Sequence, residues 1–467
     1  MLSALREALK GASLEQHSYL VGGSVRDLLM GRPVSDYDLC VEAPGGDLAL
    51  ASHLMAVGLV SKAQKFKKHG IITCKLGSCK LEISQTLKQH QRGEISNEGM
   101  FGNLLEDALS RDFTINSLYI RLSDMTLLDP SGRGLEDHHK RMINSIKDPE
   151  LCLLDDPLRI LRALRFVLEK DFIMHPDLYN AIRKLNRRLC EVPVERISEE
   201  LFRMLRSSAV QTLQLLIDSG ALQALSPRLY FSMMRVSEAG VTPYQMFPES
   251  AEAWDAIRFL AGMLWILCQS DRELPDSIID SQGADTYVTA KLKELERCFV
   301  ISSKTCTTLK ELGNAYVYLV SSHPLQTKRL PCILYITDLL KERTGHLVCM
   351  LNWELRMSRS KAESILAKVN DLKAAESRLA LAAFHLDGNA LLPLVSPKDR
   401  HYLRILLLLL KLRWMQDPTT SEDSLIGLLP EMMSNNGLNL ALHNLHSASS
   451  KIQLLWYMQS WMHMGLI

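Results

Sequence analysis

Two aspartates, Asp36 and Asp38, stand at alternate positions in Ser35-Asp-Tyr-Asp-Leu-Cys-Val, a stretch whose polar and apolar residues alternate with period two. On a strand, both carboxylates leave the same face. Carboxylates held that close repel and lose hydration, and the usual compensation is a divalent metal ion. Taken alone, Asp-x-Asp is also common in solvated loops. Just upstream, however, runs Leu20-Val-Gly-Gly-Ser-Val-Arg-Asp, an apolar strand that meets a glycine pair and then a helix. Bare backbone at Gly22 and Gly23 lets N–H groups approach phosphate oxygens, and Arg26, one turn into the helix, can add a charge-assisted contact. The alternative is a tight strand-to-helix turn with Arg26 on the surface. Together the two stretches point to Mg²⁺ held by Asp36 and Asp38 against a triphosphate, with Glu82 in Leu81-Glu-Ile as a third carboxylate or as a strand-edge charge.

Two further constellations follow. In Ser110-Arg-Asp-Phe-Thr-Ile-Asn, Arg111 suits a triphosphate clamp, while Asp112 and Asn116 suit ribose hydroxyls or loop fixation; a solvated Arg-Asp pair is the plainer reading. In Asp155-Asp-Pro-Leu-Arg-Ile-Leu-Arg-Ala-Leu-Arg-Phe, residues Arg159, Arg162 and Arg165 recur every three positions. On a helix they form one slowly drifting stripe that needs an anion, either acidic side chains or phosphate. Asp156-Pro157 reads as the start of that helix, with Asp156 as cap and Pro157 at its first position.

The elements that must position these residues have two textures. Up to about residue 140, short strands alternate with helices: strands at 19–21, 36–41, 71–76, 80–83, 118–122 and 127–128, helices at 25–30, 46–57 and 104–110, and a hairpin turn at Gly77-Ser78. The N-terminus reads as a short amphipathic helix. Beyond residue 140 the pattern is helical, with segments at 176–189, 195–207, 209–218 and 250–268, then Leu- and Met-rich helices to the end. The fold class is α+β: a head with a mixed sheet at 1–140, a helical neck at 141–220 and an all-α body and tail at 221–467.

A chain of 467 residues with 47% hydrophobic and 23% charged side chains is neither disordered nor a small disulfide scaffold. Its 54 basic and 53 acidic residues exclude binding by global basicity. Positive charge is expected instead in one groove, from the Arg159 stripe and Lys62, Lys65, Lys67 and Lys68. None of the ten cysteines forms a Cys-x-x-Cys pair, so free thiols are expected. No apolar run suffices to span a membrane, the N-terminus is a poor secretory signal, and a cytoplasmic protein is expected.

In order along residues 19–205, these motifs resemble the class II tRNA nucleotidyltransferases and bacterial poly(A) polymerases, a branch of the polymerase-β-like nucleotidyltransferases. The resemblance rests on Gly22-Gly-x-Val-Arg-Asp, Gly31-Arg-x-x-x-Asp-x-Asp, Lys68-His-Gly-x-x-Thr, Leu81-Glu-Ile, Arg111-Asp-Phe-Thr-Ile-Asn, Asp155-Asp-x-x-Arg-x-x-Arg-x-x-Arg-Phe and Glu195-Arg-Ile-x-x-Glu-Leu. It implies an enzyme whose head carries catalytic Asp36, Asp38 and Glu82, with Mg²⁺ on the two aspartates. It implies triphosphate contacts from Gly23, Arg26 and Arg111, and nucleotide contacts from Asp156, Arg159, Arg162 and Arg165 in the neck; Gly22, Ser24, Asp112 and Asn116 in the same motifs are further nucleotide-binding candidates. The implied reaction is template-independent addition of C, C and A from CTP and ATP to a tRNA 3′ end, with release of pyrophosphate. The alternatives are poly(A) polymerase activity, or addition of CC or A alone. CTP and ATP share an amino donor beside a ring-nitrogen acceptor, an edge that a carboxylate next to a guanidinium, Asp156 with Arg159, reads directly; UTP and GTP present the wrong partners there. Lys68-His-Gly-x-x-Thr favours the CCA branch, and the loop at 89–102 is long enough to be mobile in switching from C to A. Departures from the family pattern fall at Ser110, Asp155 and Lys88. Retention of Asp36, Asp38 and Glu82 argues against a catalytically dead RNA-binding module.

Overall fold

The computed structural model describes residues 2–34, 36–66, 71–88, 101–238, 256–269, 281–320, 330–357, 362–380, 384–417, 419–447 and isolated positions from 454 onward. Ser35, the Lys67–Gly70 stretch and most of the 89–102 loop lie outside that set, as do the side chains of Lys62 and Lys65. The chain divides into two compact units, residues 1–207 with 214–224, and 208–213 with 225–467.

The first unit opens with α1 (Leu2–Leu9), β1 (Ser18–Val21), α2 (Gly23–Leu29), β2 (Asp36–Val41), α3 (Gly46–Ala56), β3 (Ser61–Phe66), β4 (Ile71–Leu76), β5 (Cys79–Gln85), α4 (Leu104–Ser110), β6 (Tyr119–Arg121) and β7 (Leu127–Leu128). Seven strands form one sheet in the order β3-β4-β5-β2-β1-β6-β7. Only the central β2–β5 pair is parallel among the described ladders of this sheet, which makes it mixed. A parallel pair needs a crossover, supplied here by α3 and the β3–β4 hairpin. The edge strand β3 was not anticipated from the sequence.

The period-two pattern decides which face is chemical. Tyr37, Leu39 and Val41 of β2 join Leu81 and Ile83 of β5 in a core sealed by Leu5 and Leu9 of α1 and Leu50 and Leu54 of α3. The intervening residues point the other way. Asp36 is in register with Lys80, and Asp38 with Glu82, so all four side chains share the face opposite that core.

The first unit continues with α5 (Gly134–His139), β8 (Met142–Ile143), α6 (Pro149–Asp155), α7 (Arg159–Lys170), β9 (Ile173–Met174), α8 (Pro176–Leu185) and α9 (Val194–Ser207), and it takes in most of α11 (Ala221–Leu225) and the part of α10 (Ala209–Asp218) from residue 214 onward. Parallel pairing of β8 with β9 brings together the two ends of the α6–α7 stretch. Helix α7 does not start at Asp156-Pro157. Asp156 instead follows α6 in extended conformation (φ −144°, ψ 100°), as expected of a residue before proline. Its side chain accepts from the Leu158 N–H at 3.2 Å and its carbonyl from the Arg159 N–H at 3.0 Å, so it introduces a turn from which α7 begins at Arg159.

The second unit is helical in its described parts: α12 (Pro227–Glu238), α13 (Ala256–Cys268), α14 (Ser281–Leu295), α15 (Ser303–Val320), α16 (Leu330–Leu340), α17 (Thr344–Met357), α18 (Ala362–Leu379), and further helices that include Leu403–Gln416. Helix α13 is buried from Phe259 to Cys268, so it is apolar all round. Inside this unit Glu354 accepts hydrogen bonds from Tyr316, Gln269 and Trp265. Among the described residues, no helix is long and apolar enough to cross a membrane.

Candidate active site

A cavity of about 400 Å³ opens beside β2 and brings together Gly22, Gly23, Ser24, Arg26, Asp36, Asp38, Arg111, Asp112, Asn116, Arg162 and Arg165. Eleven of the residues selected from the sequence therefore share one space, although they span more than 140 positions. Glu82, Asp156 and Arg159 do not line it. The lining residues that the motifs did not single out are Asp27, Pro33, Val34, Phe166 and Arg203.

The glycine turn is set by sterics. Gly22 has φ +71°, and a Cβ there would lie 3.3 Å from the Arg111 guanidinium and 3.6 Å from the Asp38 carboxylate. A side chain would strain the backbone and crowd both groups. Ser24, buried, fixes β2 to this turn: its Oγ donates to the Asp36 carbonyl at 3.2 Å and accepts from the Asp38 N–H at 2.9 Å. Its hydroxyl therefore positions the aspartates.

Among the lining carboxyls, Asp38 is the one held high. Burial first, then the neighbouring Glu82 and Asp36, push it up from the ordinary 3.8 to about 6, against the opposing pull of Arg111 and Lys80. A carboxylate so raised beside others is a pair in want of a cation. Among the described residues no group of three His, Cys, Asp or Glu side chains is placed to hold a metal ion. Glu82, expected as a third carboxylate, stands in register beside Asp38, with Lys80 Nζ 2.5 Å from its Oε1. The two-aspartate set still fits Mg²⁺, which is commonly bound by one or two carboxylates plus substrate phosphates.

The arginines are held by buried partners. Arg26, 5% exposed, donates to Asn116 Oδ1 at 2.8 Å and to Asp27 Oδ1 at 2.9 Å, with its guanidinium 4.8 Å over the Phe166 ring. Arg111 forms a triangle with Asp107 and Tyr119: it donates to Asp107 at 2.9 and 3.1 Å and to the Tyr119 hydroxyl at 3.1 Å, and that hydroxyl donates to Asp107 at 2.6 Å.

Arg162 reaches across 50 residues to donate twice to Asp112 Oδ2, at 2.7 and 2.9 Å. Asn116 donates to the other oxygen at 2.9 Å. Burial alone would raise the Asp112 carboxyl, but Arg162 and Asn116 outweigh it and hold it at about 2. Arg165 donates to Glu200 at 2.6 Å and to Glu169 at 2.9 Å. For Arg162 and Arg165, the anions expected for the arginine stripe are therefore carboxylates of the protein itself.

The pairing of Asp156 with Arg159 is also corrected. Asp156 is held through both oxygens by Arg196 of α9, at 2.8 and 3.3 Å. Arg159 donates instead to the carbonyls of Ser110 at 2.8 Å and Cys152 at 3.2 Å, and stands 4.0 Å from Asp155. Arg196 lies within the Glu195-Arg-Ile motif, but nothing local in the sequence signals its partner 40 residues away.

Known proteins resemble this chain in sequence and in fold. A family model described as the poly A polymerase head domain matches residues 18–144, and one described as a probable RNA and SrmB-binding site of polymerase A matches 171–232. The poly(A) polymerase I of Salmonella typhi is 33% identical over 233 residues, 46% of this chain and 48% of that protein. The chain thus matches about half the length of the first of its curated relatives. The CCA-adding enzyme of Geobacillus stearothermophilus is 30% identical over 287 residues, 58% of this chain and 67% of that protein. Among solved structures, a CCA-adding enzyme complexed with CTP aligns with a TM-score of 0.60 at 20% identity, over 93% of this chain and 94% of the other. The Thermotoga maritima CCA-adding enzyme complexed with tRNA-CCA aligns with a TM-score of 0.57 at 19% identity, over 93% and 95%. At such identities these two likenesses speak for the fold alone, a mixed-sheet head followed by helices. With the sequence relatives they lead to one assignment: the chain belongs to the nucleotidyltransferase family that contains the CCA-adding enzymes and the bacterial poly(A) polymerases.

Proposed function

We propose that this protein adds C, C and A to the 3′ end of tRNA from CTP and ATP, releasing pyrophosphate. The observation that carries the proposal is the single cavity in which Asp36 and Asp38 face the Gly22-Gly23 turn, Arg26 and Arg111. In this reading Arg26 and Arg111 hold triphosphate oxygens through preorganised forks. Asp36 and Asp38 hold Mg²⁺, which when bound neutralises charge at the α-phosphorus and favours the ionised form of the attacking hydroxyl. The 3′ oxygen of the RNA bonds to the α-phosphorus as the bond to the pyrophosphate oxygen breaks. Ser24 keeps both aspartates in place, and the Asp112–Asn116 pair fixes Arg26 from behind.

Base choice rests on Asp156 as acceptor of the exocyclic amino group common to C and A. The guanidinium beside it is that of Arg196, which makes Arg196 the donor to the ring nitrogen in place of Arg159. The larger span shared with a CCA-adding enzyme favours this branch. The higher identity to poly(A) polymerase I supports the second reading, AMP addition to general RNA 3′ ends. Incubating the full chain with tRNA ending before CC, tRNA ending after CC, or an unrelated RNA, each nucleotide given singly, separates them. C added to the first substrate and a single A to the second is the expected result. A-tailing of all three without C incorporation overturns the CCA reading in favour of the second.

A further inference from the structure

Five arginines line the cavity, and they differ in how far their charge is already committed. Arg26 and Arg165 are buried against fixed partners, and Arg111 and Arg162 bind the carboxylates of Asp107 and Asp112. The fifth, Arg203, is the lining residue that α9 contributes. Its side chain is 47% exposed, and its close ion pair is with Glu199, four residues earlier on the same helix and 64% exposed. Such an i,i+4 surface pair holds its partners weakly and exchanges readily with solvent. Glu200, 4.0 Å from Arg203, is already bound to Arg165 at 2.6 Å. The guanidinium thus stands at a cavity wall, within reach of a ligand and loosely held.

From this placement we infer that Arg203 is a substrate-binding residue: on nucleotide entry its guanidinium exchanges Glu199 for the polyphosphate of the incoming nucleoside triphosphate. The guanidinium fork matches phosphate oxygens, and a polyanion in the cavity offers more charge than one exposed carboxylate. Arg203 shares its cavity with the Gly22-Gly23 turn and Arg26, the elements suited to polyphosphate, which favours the nucleotide over the RNA backbone as the source of the phosphate. The inference rests on the nucleotidyltransferase reading above and deepens it by one residue.

The test is direct binding to the full chain without RNA, by calorimetry, of CTP, inorganic tripolyphosphate and cytidine, alongside KM values for CTP and for tRNA. Arg203→Ala is expected to weaken CTP and tripolyphosphate by roughly tenfold alike, as for loss of one charged hydrogen-bonding partner, and to raise KM for CTP while KM for tRNA and cytidine binding stay put. Arg203→Lys, which keeps the charge without the fork, is expected to recover part of the loss and guards against misfolding as the cause. Unchanged tripolyphosphate binding in Arg203→Ala, or a rise in KM for tRNA alone, overturns the inference. Arg203-dependent tripolyphosphate binding in a wild-type chain that incorporates no nucleotide upholds the inference and removes the nucleotidyltransferase reading instead.

Discussion

Replacing Asp38 by Asn should abolish nucleotide addition and, in cation-free buffer, make the head more stable. Asp38 carries a carboxyl raised from 3.8 to about 6 by burial and by the neighbouring Glu82 and Asp36. The native state therefore binds a proton more readily than the unfolded state, and stability falls as pH rises from about 4 to about 6, then stays at the lower level. A shift of about two units corresponds to about 3 kcal/mol at most. Because the site opens into a cavity and water screens part of the repulsion, about 1–2 kcal/mol is the expected gain for Asp38→Asn at pH 7. Tryptophan fluorescence is blind to this effect, since all six tryptophans lie beyond residue 250. Hydrogen exchange of the β1 and β2 amides reports on the head directly. The variant should show slower exchange than wild type at pH 7, with the difference reduced to about half near pH 5 and closing towards pH 4. Added Mg²⁺ should reverse the order, because wild type gains about 1.4 kcal/mol for each tenfold of cation above its dissociation constant while the variant gains little. Faster exchange in Asp38→Asn across the whole pH range, or no response of wild type to Mg²⁺, would refute the reasoning.

Two other perturbations test neighbouring links. Arg162→Ala strands the buried Asp112 carboxylate and should cost about 3 kcal/mol in head stability at pH 7, by urea denaturation followed with circular dichroism; a loss under 1 kcal/mol would mean the pair is idle. The group concerned has a depressed value near 2, so the wild-type advantage is present above about pH 4 and disappears as pH falls towards 2. Lys80→Ala frees Glu82 to join Asp36 and Asp38, and should tighten Mn²⁺ binding to the nucleotide-free chain by roughly two- to fivefold, in line with the worth of an exposed pair. Weaker Mn²⁺ binding on electron paramagnetic titration would instead give Lys80 a supporting role.

What the sequence disclosed follows from the range of each interaction. The bounds of β2 and β4, and the turn that joins β4 to β5, were legible because period-two alternation is a local signal that burial of one face enforces. The same alternation placed Asp36 and Asp38 on one face. Strand β3 escaped because Ser61-Lys-Ala-Gln-Lys-Phe is an edge strand, where lysines guard against pairing with another chain and blur the apolar pattern. Asp156-Pro157 was misleading as a helix start: proline forces the residue before it into extended backbone, and α6, just upstream, needed that break to end.

The arginine stripe marks the deeper limit. Spacing alone requires an anion but does not say whether it is ligand or protein, and each answer comes from far along the chain: Asp112 is 50 residues from Arg162, and Glu200 is 35 from Arg165. The result alters what the stripe is for. A row of free guanidiniums would draw in any polyanion. Arg162 and Arg165, neutralised by buried Asp112 and Glu200, with Arg159 held by backbone carbonyls, instead present fixed hydrogen-bond geometry with reduced net charge, which selects by shape. This agrees with a chain whose 54 basic and 53 acidic residues nearly cancel. Electrostatic attraction of the nucleotide then falls to the cavity arginine that remains loosely held, Arg203, so its removal should lower nucleotide affinity more than it lowers discrimination between CTP and UTP. Removal of Asp156 should do the reverse.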